Sequence, residues 1–269
     1  LRGLIIQSGN DSAIILAEGL SGSEQEFAKR MNRFAVTLGL HDSTFGNSNG
    51  LPHPDQLLSP RDLARIARYI IEEHPNYYGI FAERDFTWNG IRQANRNPLL
   101  SAPIGADGLK TGRTDEAGYG LVGSAGQNGR RLIAVLMGLK TEADRALDGR
   151  RLWEWGFTAF DAVEVFPAGV TVGRVRIYGA ATGRLGAETK TPVVALMPKQ
   201  SRDALEARVI YTGPISVPVN KGDKIADLEV YSGNRLVVTA PLFATESVAT
   251  AGVLKRAMGG VGEFLFGWL

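Results

Sequence analysis

Lys110, Thr111 and Gly112 follow Asp107, Gly108 and Leu109 in a run that reads as a strand of an antiparallel sheet. A lysine ammonium beside a threonine hydroxyl can hold a carboxylate, and a glycine next to them leaves the strand edge open to an extended peptide. Taken by itself such a tripeptide is more often an exposed strand start. Ser8, Gly9 and Asn10 form a second candidate, placed between the opening apolar residues and a helix expected from about Asp11. Its plain reading is helix capping, and Ser232, Gly233 and Asn234 repeat the tripeptide between β-type runs, where it reads as a hairpin turn. Gly46, Asn47, Ser48, Asn49 and Gly50 match a Gly-x-Ser-x-Gly nucleophile elbow. The context rejects that match. An elbow needs a buried strand before it and a helix after it, whereas His41 to Phe45 is polar and Leu51-Pro52-His53 cannot open a long helix. The histidines are His41, His53 and His74, so none lies far downstream of that serine, and none forms a zinc-binding His-Glu-x-x-His pattern.

The elements that must position these residues follow from pattern. Asp11 to Leu20 looks helical, and Ser23 with Glu26 makes a capping box for a second helix with an apolar stripe of Phe27, Met31, Phe34, Ala35 and Leu38, stopped by Gly39. Ser59-Pro60 with Asp62 opens a third helix through Ile66, Ile70 and Ile71. Asp85 to Trp88, the Asn89-Gly90 turn and Ile91 to Gln93 predict a hairpin, and Gly118 to Gly126 and Arg131 to Leu139 predict longer strands. Thr141 with Asp144 caps a helix expected to run to about Phe160. Beyond it, short β-type runs around Val170 to Ile177, Val193 to Leu196, Val209 to Tyr211 and Leu236 to Val238, separated by Gly, Pro and Asn, predict a second, all-β domain.

The chain has 269 residues, 44% of them hydrophobic, enough for a sizeable core in two domains. Thirty Lys and Arg against 28 Asp and Glu give a formal charge of only +2, which offers no argument for a nucleic-acid partner. The absence of cysteine excludes a disulfide scaffold, a cysteine zinc site and a thiol nucleophile. No stretch reaches the roughly 18 apolar residues of a spanning helix. After Ser247, however, Leu254, Met258, Val261 and Leu265 share one helical face, with Phe264, Phe266 and Trp268 nearby and Lys255 and Arg256 at the start. That pattern suits a membrane surface; a helix packed on the β domain or on a neighbouring molecule is the alternative, and Gly259, Gly260 and Gly262 weaken any helix in water.

The two tripeptides gain weight because they occur together, in order, amid matching text. Ile6 to Asp11, Thr87 to Gly90, Asn95 to Asn97, Asp107 to Gly112, Arg130 to Gly138 and Trp155-Gly156 resemble the low-molecular-mass penicillin-binding D-alanyl-D-alanine carboxypeptidases, and the similarity extends over essentially the whole chain. The resemblance implies an α+β domain of the serine β-lactamase and penicillin-binding type over 1–160, a small all-β, sandwich-like domain over 161–246 and an amphipathic tail over 247–269. It implies removal of terminal D-Ala from peptidoglycan pentapeptide stems through an acyl-enzyme, acylation by β-lactams, no metal or organic cofactor, and a periplasmic protein attached to the inner-membrane surface by its tail.

In that family three motifs build the site: Ser-x-x-Lys, Ser-x-Asn and Lys-Thr-Gly. The resemblance assigns Ser8 to proton relay, Asn10 to a substrate amide, and Lys110, Thr111 and Gly112 to the terminal carboxylate and the peptide strand. Arg96 and Arg145 fall where the family places arginines near that carboxylate, although each also fits a solvated surface charge. Arg113 stands where histidine is also common. No serine in the 269 residues has a lysine three positions later, so the nucleophile is not assigned. Leu1 suggests a trimmed start, and the expectation is a Ser-x-x-Lys segment ahead of it. The alternative is a catalytically inactive homologue that binds peptidoglycan or a partner; a β-lactamase fits the β-rich second domain and the tail less well.

Overall fold

A computed structural model describes residues 1–180, 182–200 and 204–250. The chain divides into two compact units, the first Leu1–Thr158 and the second starting at Ala159.

The first unit opens with a single turn, α1 (Arg2–Ile5), and then α2 (Asn10–Ser21), closed by Gly22 at φ +81°. Helix α3 (Glu24–Thr37) starts at Ser23, whose hydroxyl accepts the Glu26 N–H at 3.2 Å. The reciprocal half of that box is not formed, because the Glu26 carboxylate takes Lys29 at 2.7 Å. The inward side of α3 is set by Ala28 and Ala35, while Phe34, expected on the apolar stripe, is 47% exposed and meets Tyr69 edge-on. Helix α4 (Pro60–Glu73) uses Ser59 as its cap and proline in its first turn, as the local sequence predicts, and a short turn α5 (Pro75–Tyr78) follows.

Strands β1 (Asp85–Trp88) and β2 (Ile91–Ala94) form the expected hairpin, with Asn89 at φ +49° and Gly90 at φ +78°, the left-handed pair that a two-residue turn demands. Strands β3 (Ala106–Thr114), β4 (Gly118–Gln127) and β5 (Arg130–Leu139) make an antiparallel sheet in sequence order, so β3 lies at its edge. Helix α6 (Glu142–Thr158) begins with a complete capping box: Thr141 Oγ1 accepts the Asp144 N–H at 3.0 Å, and Asp144 Oδ2 accepts the Thr141 N–H at 3.1 Å. It ends two residues before the expected limit, since Phe160 already opens the next strand. Leu99, Ile104, Leu121, Ala125, Trp153 and Phe157 form the buried core that joins α6 to this sheet.

In the second unit, β6 (Phe160–Phe166), β7 (Thr171–Tyr178), β8 (Arg184–Glu188), β9 (Val193–Pro198), β10 (Leu205–Ile210), β11 (Ile215–Ser216), β12 (Lys224–Ser232) and β13 (Arg235–Ala244) follow one another without an intervening helix among the described residues. β6 pairs with β9, and the others form a sheet in the order β10-β12-β13-β8-β7-β11. Alternation along β8, the second half of β7 and β12 from Ala226 onward sends Val175, Ile177, Leu185, Ala187, Leu228 and Val230 into one core with Leu242. Ser232 and Arg235 pair across Gly233-Asn234, so this copy of the tripeptide is the hairpin turn expected of it. The tail expected to be an amphipathic helix lies outside the described residues from 251 onward.

Candidate active site

The two candidate runs meet although 102 residues separate them: Lys110 Nζ donates to Ser8 Oγ at 2.8 Å. Ser8 sits at φ +60°, a region that a residue with a side chain enters at a cost. It does not cap α2. Gly9 is the N-cap residue, with no side-chain cap bond, which leaves the Ser8 hydroxyl to face the lysine. Gly9 sits in a crowded place between them: a Cβ there would stand 2.9 Å from Asp11 Oδ1 and Ser12 Oγ and 3.3 Å from the Gly3 carbonyl oxygen, so those side chains would have to shift. Asn10 is exposed at the first turn of α2, beside Ser8.

Lys110 projects from β3 and also donates to the Thr111 carbonyl oxygen at 2.9 Å. Both partners are neutral. Burial, and after it charge repulsion from Arg96 and Arg145, lower its pKa to about 8. The lysine is therefore a cation held without a carboxylate, which makes the place attractive to an anion. Thr111 is 9% exposed. Gly112 is exposed, with open space where a side chain would stand, and it lies on the edge strand with backbone groups available to an extended chain.

Arg96 is exposed in the loop after β2. That loop is pinned to β3 by Asn97, which is buried and donates through Nδ2 to the Gly108 carbonyl at 2.9 Å, while Asn95 Nδ2 donates to the carbonyls of Phe81 and Glu83 at 3.2 and 3.0 Å. Arg145, in the first turn of α6, is not the solvated charge that sequence also allowed: its side chain is 5% exposed, with Nη2 on Glu142 Oε1 at 2.6 Å. Its guanidinium carbon lies 5.5 Å from the centre of the Tyr119 ring, which Arg113 also approaches at 5.3 Å. Arg145 Nε is buried with no hydrogen-bond partner among the described residues.

Tyr119 and the partnering of Tyr78, Asp107, Ser124 and Arg131 are what pattern reading did not reach. The one local sign was the Arg130-Arg131 pair at the head of an otherwise apolar strand. Ser48, at the centre of the rejected elbow, donates from Oγ to Glu24 Oε1 at 2.6 Å and fastens a loop to α3.

The D-alanyl-D-alanine carboxypeptidase family profile (peptidase S11) matches residues 1–141, and the profile of the penicillin-binding protein 5 C-terminal domain matches 160–250. The chain is 36% identical over 257 residues to the D-alanyl-D-alanine carboxypeptidase DacD of Salmonella typhimurium and 36% identical over 264 residues to DacA of Haemophilus influenzae. In each case 95% of this chain is covered, and the chain spans 66% of the relative's length. Penicillin-binding protein 5 from Haemophilus influenzae superposes with a TM-score of 0.78 at 34% identity, covering 92% of this chain and 73% of that one. Penicillin-binding protein D2 from Listeria monocytogenes in its ampicillin-bound form superposes with a TM-score of 0.55 at 33% identity, covering 58% of this chain and 65% of that one. The chain belongs to the D-alanyl-D-alanine carboxypeptidase family, peptidase S11.

Proposed function

We propose that these residues are part of a serine-type D-Ala-D-Ala carboxypeptidase that removes the terminal D-alanine from peptidoglycan stem peptides. The observation that supports it most directly is the bond from Lys110 Nζ to Ser8 Oγ, which joins the second and third family motifs into one site. In this reading the substrate's terminal carboxylate docks at Lys110 and Thr111 in the field of Arg96 and Arg145, and its backbone extends along the β3 edge at Gly112. Asn10 holds a substrate amide. A serine attacks the penultimate carbonyl, and the departing D-Ala amine takes a proton through the Ser8 hydroxyl, which Lys110 resupplies because its lowered pKa makes proton exchange accessible near neutral pH. Water then releases the shortened peptide from the acyl-enzyme. The attacking serine and its lysine base are not assigned to any of the 269 residues.

The same reading makes β-lactams acylating ligands, since they resemble the D-Ala-D-Ala end; one relative, penicillin-binding protein D2 from Listeria monocytogenes, has been seen in ampicillin-bound and cefotaxime-bound forms. It places the protein in the periplasm, with a catalytic domain over 1–160, a β-rich domain over 161–246 and residues 247–269 attaching it to the inner-membrane surface. The alternative reading is a homologue that binds stem peptides without turnover.

Intact-mass spectrometry of the expressed protein before and after benzylpenicillin separates the two. A stable penicilloyl adduct on a protein larger than 29.0 kDa supports the hydrolase. No adduct, together with calorimetric binding of a diacetyl-Lys-D-Ala-D-Ala peptide, supports the binding protein, and neither signal overturns both.

A further inference from the structure

Strand β7 turns Val175 and Ile177 into the core of the second unit and leaves Arg174, Arg176 and Tyr178 outside; β8 buries Leu185 and Ala187 and leaves Arg184 outside. The register sets Arg176 directly across from Arg184, and Arg174 across from Gly186 on the same face. Like charges directly opposite each other destabilise an antiparallel pair, so an anion between them would relieve the repulsion. Among the described residues of this unit the ion pairs are Lys199 with Asp161, Arg208 with Glu206 and Lys224 with Asp227, and none includes these three arginines. Lys190 adds a fourth cation near the same face, with its ammonium 3.9 Å above the Phe243 ring, whose cross-strand partner is Glu188.

A groove of about 440 Å³ runs beside the arginines, lined by Thr171, Arg174, Thr182, Arg184, Thr245 and Glu246 together with two glycines. With Glu188 and Glu246 counted against Lys190 and the three arginines, the face keeps a positive excess. The groove also marks where the polypeptide leaves the sheet: the Thr245 N–H donates to the Gly186 carbonyl at 3.1 Å, and Val248 pairs with Val219. The next residues in sequence are the run with Lys255, Arg256, Phe264, Phe266 and Trp268, a composition suited to the headgroup interface.

We propose that the outer face of β7 and β8, through Arg174, Arg176 and Arg184 and the groove beside them, binds the phosphate headgroups of an anionic membrane surface. Guanidinium groups take phosphate oxygens two at a time, and threonine hydroxyls along the groove supply further donors. The lipid surface is favoured over a soluble polyanion because the face adjoins the start of the interfacial segment, which sets it within reach of the headgroups. The proposal uses the membrane reading of the tail only for that placement.

The test is co-sedimentation of the full 269-residue chain with vesicles of phosphatidylcholine alone and of equimolar phosphatidylcholine and phosphatidylglycerol. Partition onto phosphatidylcholine reads the apolar face of the tail, and because Lys255 and Arg256 also answer to phosphatidylglycerol, the arginine face is read from the part of the phosphatidylglycerol gain that is lost when its arginines are neutralised. Each cation near an anionic surface contributes about fivefold. The pair Arg176→Gln and Arg184→Gln is therefore expected to cut the phosphatidylglycerol gain roughly 25-fold, leaving phosphatidylcholine binding unchanged. Arg176→Lys with Arg184→Lys is expected to retain the gain, and circular dichroism should be unaltered in both because the side chains are exposed. A phosphatidylglycerol gain that the glutamine pair leaves undiminished overturns the proposal. Equally tight, arginine-dependent binding to inorganic polyphosphate in solution overturns the lipid assignment. Wild-type binding that appears only with phosphatidylglycerol and is lost in the glutamine pair supports the proposal while refuting the tail.

Discussion

Arg131 lays its guanidinium across both carboxylate oxygens of Asp107, at 2.8 and 2.7 Å. The Tyr78 hydroxyl donates to the same carboxylate at 2.7 Å, and Arg131 also donates to the Ser124 hydroxyl at 2.6 Å while stacking 5.5 Å from the Tyr78 ring. Burial, then the bond to Asp107, push the Tyr78 hydroxyl pKa upward, so it stays protonated and remains a donor. The network ties β3, β4, β5 and α5 together three residues before Lys110. Two-point geometry strengthens an ion pair, but both side chains keep about a third of their exposure, 38% and 31%, and water screens them. Asp107→Asn is expected to cost about 1–2 kcal/mol, read as a lowered urea midpoint. A double-mutant cycle with Arg131→Met should give a coupling of similar size, and zero coupling would refute the pair's role.

Lys110 makes the site sensitive to pH. Its midpoint, followed by NMR of ¹³C-labelled lysine, is expected near 8 rather than at the ordinary 10.5. Arg145→Gln removes one of the repelling charges and should move the midpoint up, as should any bound carboxylate. The unfolded chain keeps the ordinary value, so between about 8 and 10.5 it binds more protons than the folded chain. Stability must rise with pH across that window, with the full penalty present below about 8 and gone above 10.5. Lys110→Met should abolish this part of the rise. A wild-type midpoint of 10 or above would refute the buried-lysine account.

What could be read from sequence was what local chemistry decides. Ser23, Ser59 and Thr141 cap helices because a hydroxyl and an N–H three residues on need nothing from the rest of the chain, and Asn89-Gly90 makes its turn for the same reason. The two Ser-Gly-Asn runs are locally identical, and only their settings separate them: Gly9 lies under Ser12 and Gly3, whereas Gly233 has open space around it at a hairpin. The α3 stripe placed Phe34 inward, but Ala28 and Ala35 define the packed side and Phe34 lies beyond it, against Tyr69. Tyr119 and the Asp107 network were hidden because their partners are set by strand register and helix docking, which no local spacing encodes. The resemblance reached Arg145 by position; its burial beneath Tyr119 came only from the fold.

Gly123 on β4 has a packing role that its type alone does not announce. A Cβ there would stand 2.7 Å from Cη2 and 2.8 Å from Cζ2 of Trp153, and 3.1 Å from Leu99. Trp153 is 1% exposed and central to the first core, so it has little room to give. Gly123→Ala is expected to destabilise the first unit by about 1–3 kcal/mol, measured by thermal unfolding with tryptophan fluorescence. An unchanged transition would show that Trp153 can shift, and would refute the tight fit.

The Tyr119 ring separates structural from electrostatic control of the site. It is the face on which the Arg145 guanidinium rests, 5.5 Å away, and Glu142 is the arginine's charged partner. A cation over a ring gains about 0.5–2 kcal/mol, more as water is excluded. Tyr119→Leu should therefore let Arg145 move away from Lys110, whereas Tyr119→Phe keeps the ring and should behave as wild type. Because Arg145 is one of the two charges that repel the Lys110 ammonium, its departure should raise the Lys110 midpoint in the leucine variant alone. The affinity for a peptide ending in D-Ala-D-Ala should fall about 2- to 30-fold in the same variant. Equal Lys110 midpoints in the leucine and phenylalanine variants would show that Arg145 is held by Glu142 and its burial alone, and that the ring has no part in setting the charge beside Lys110.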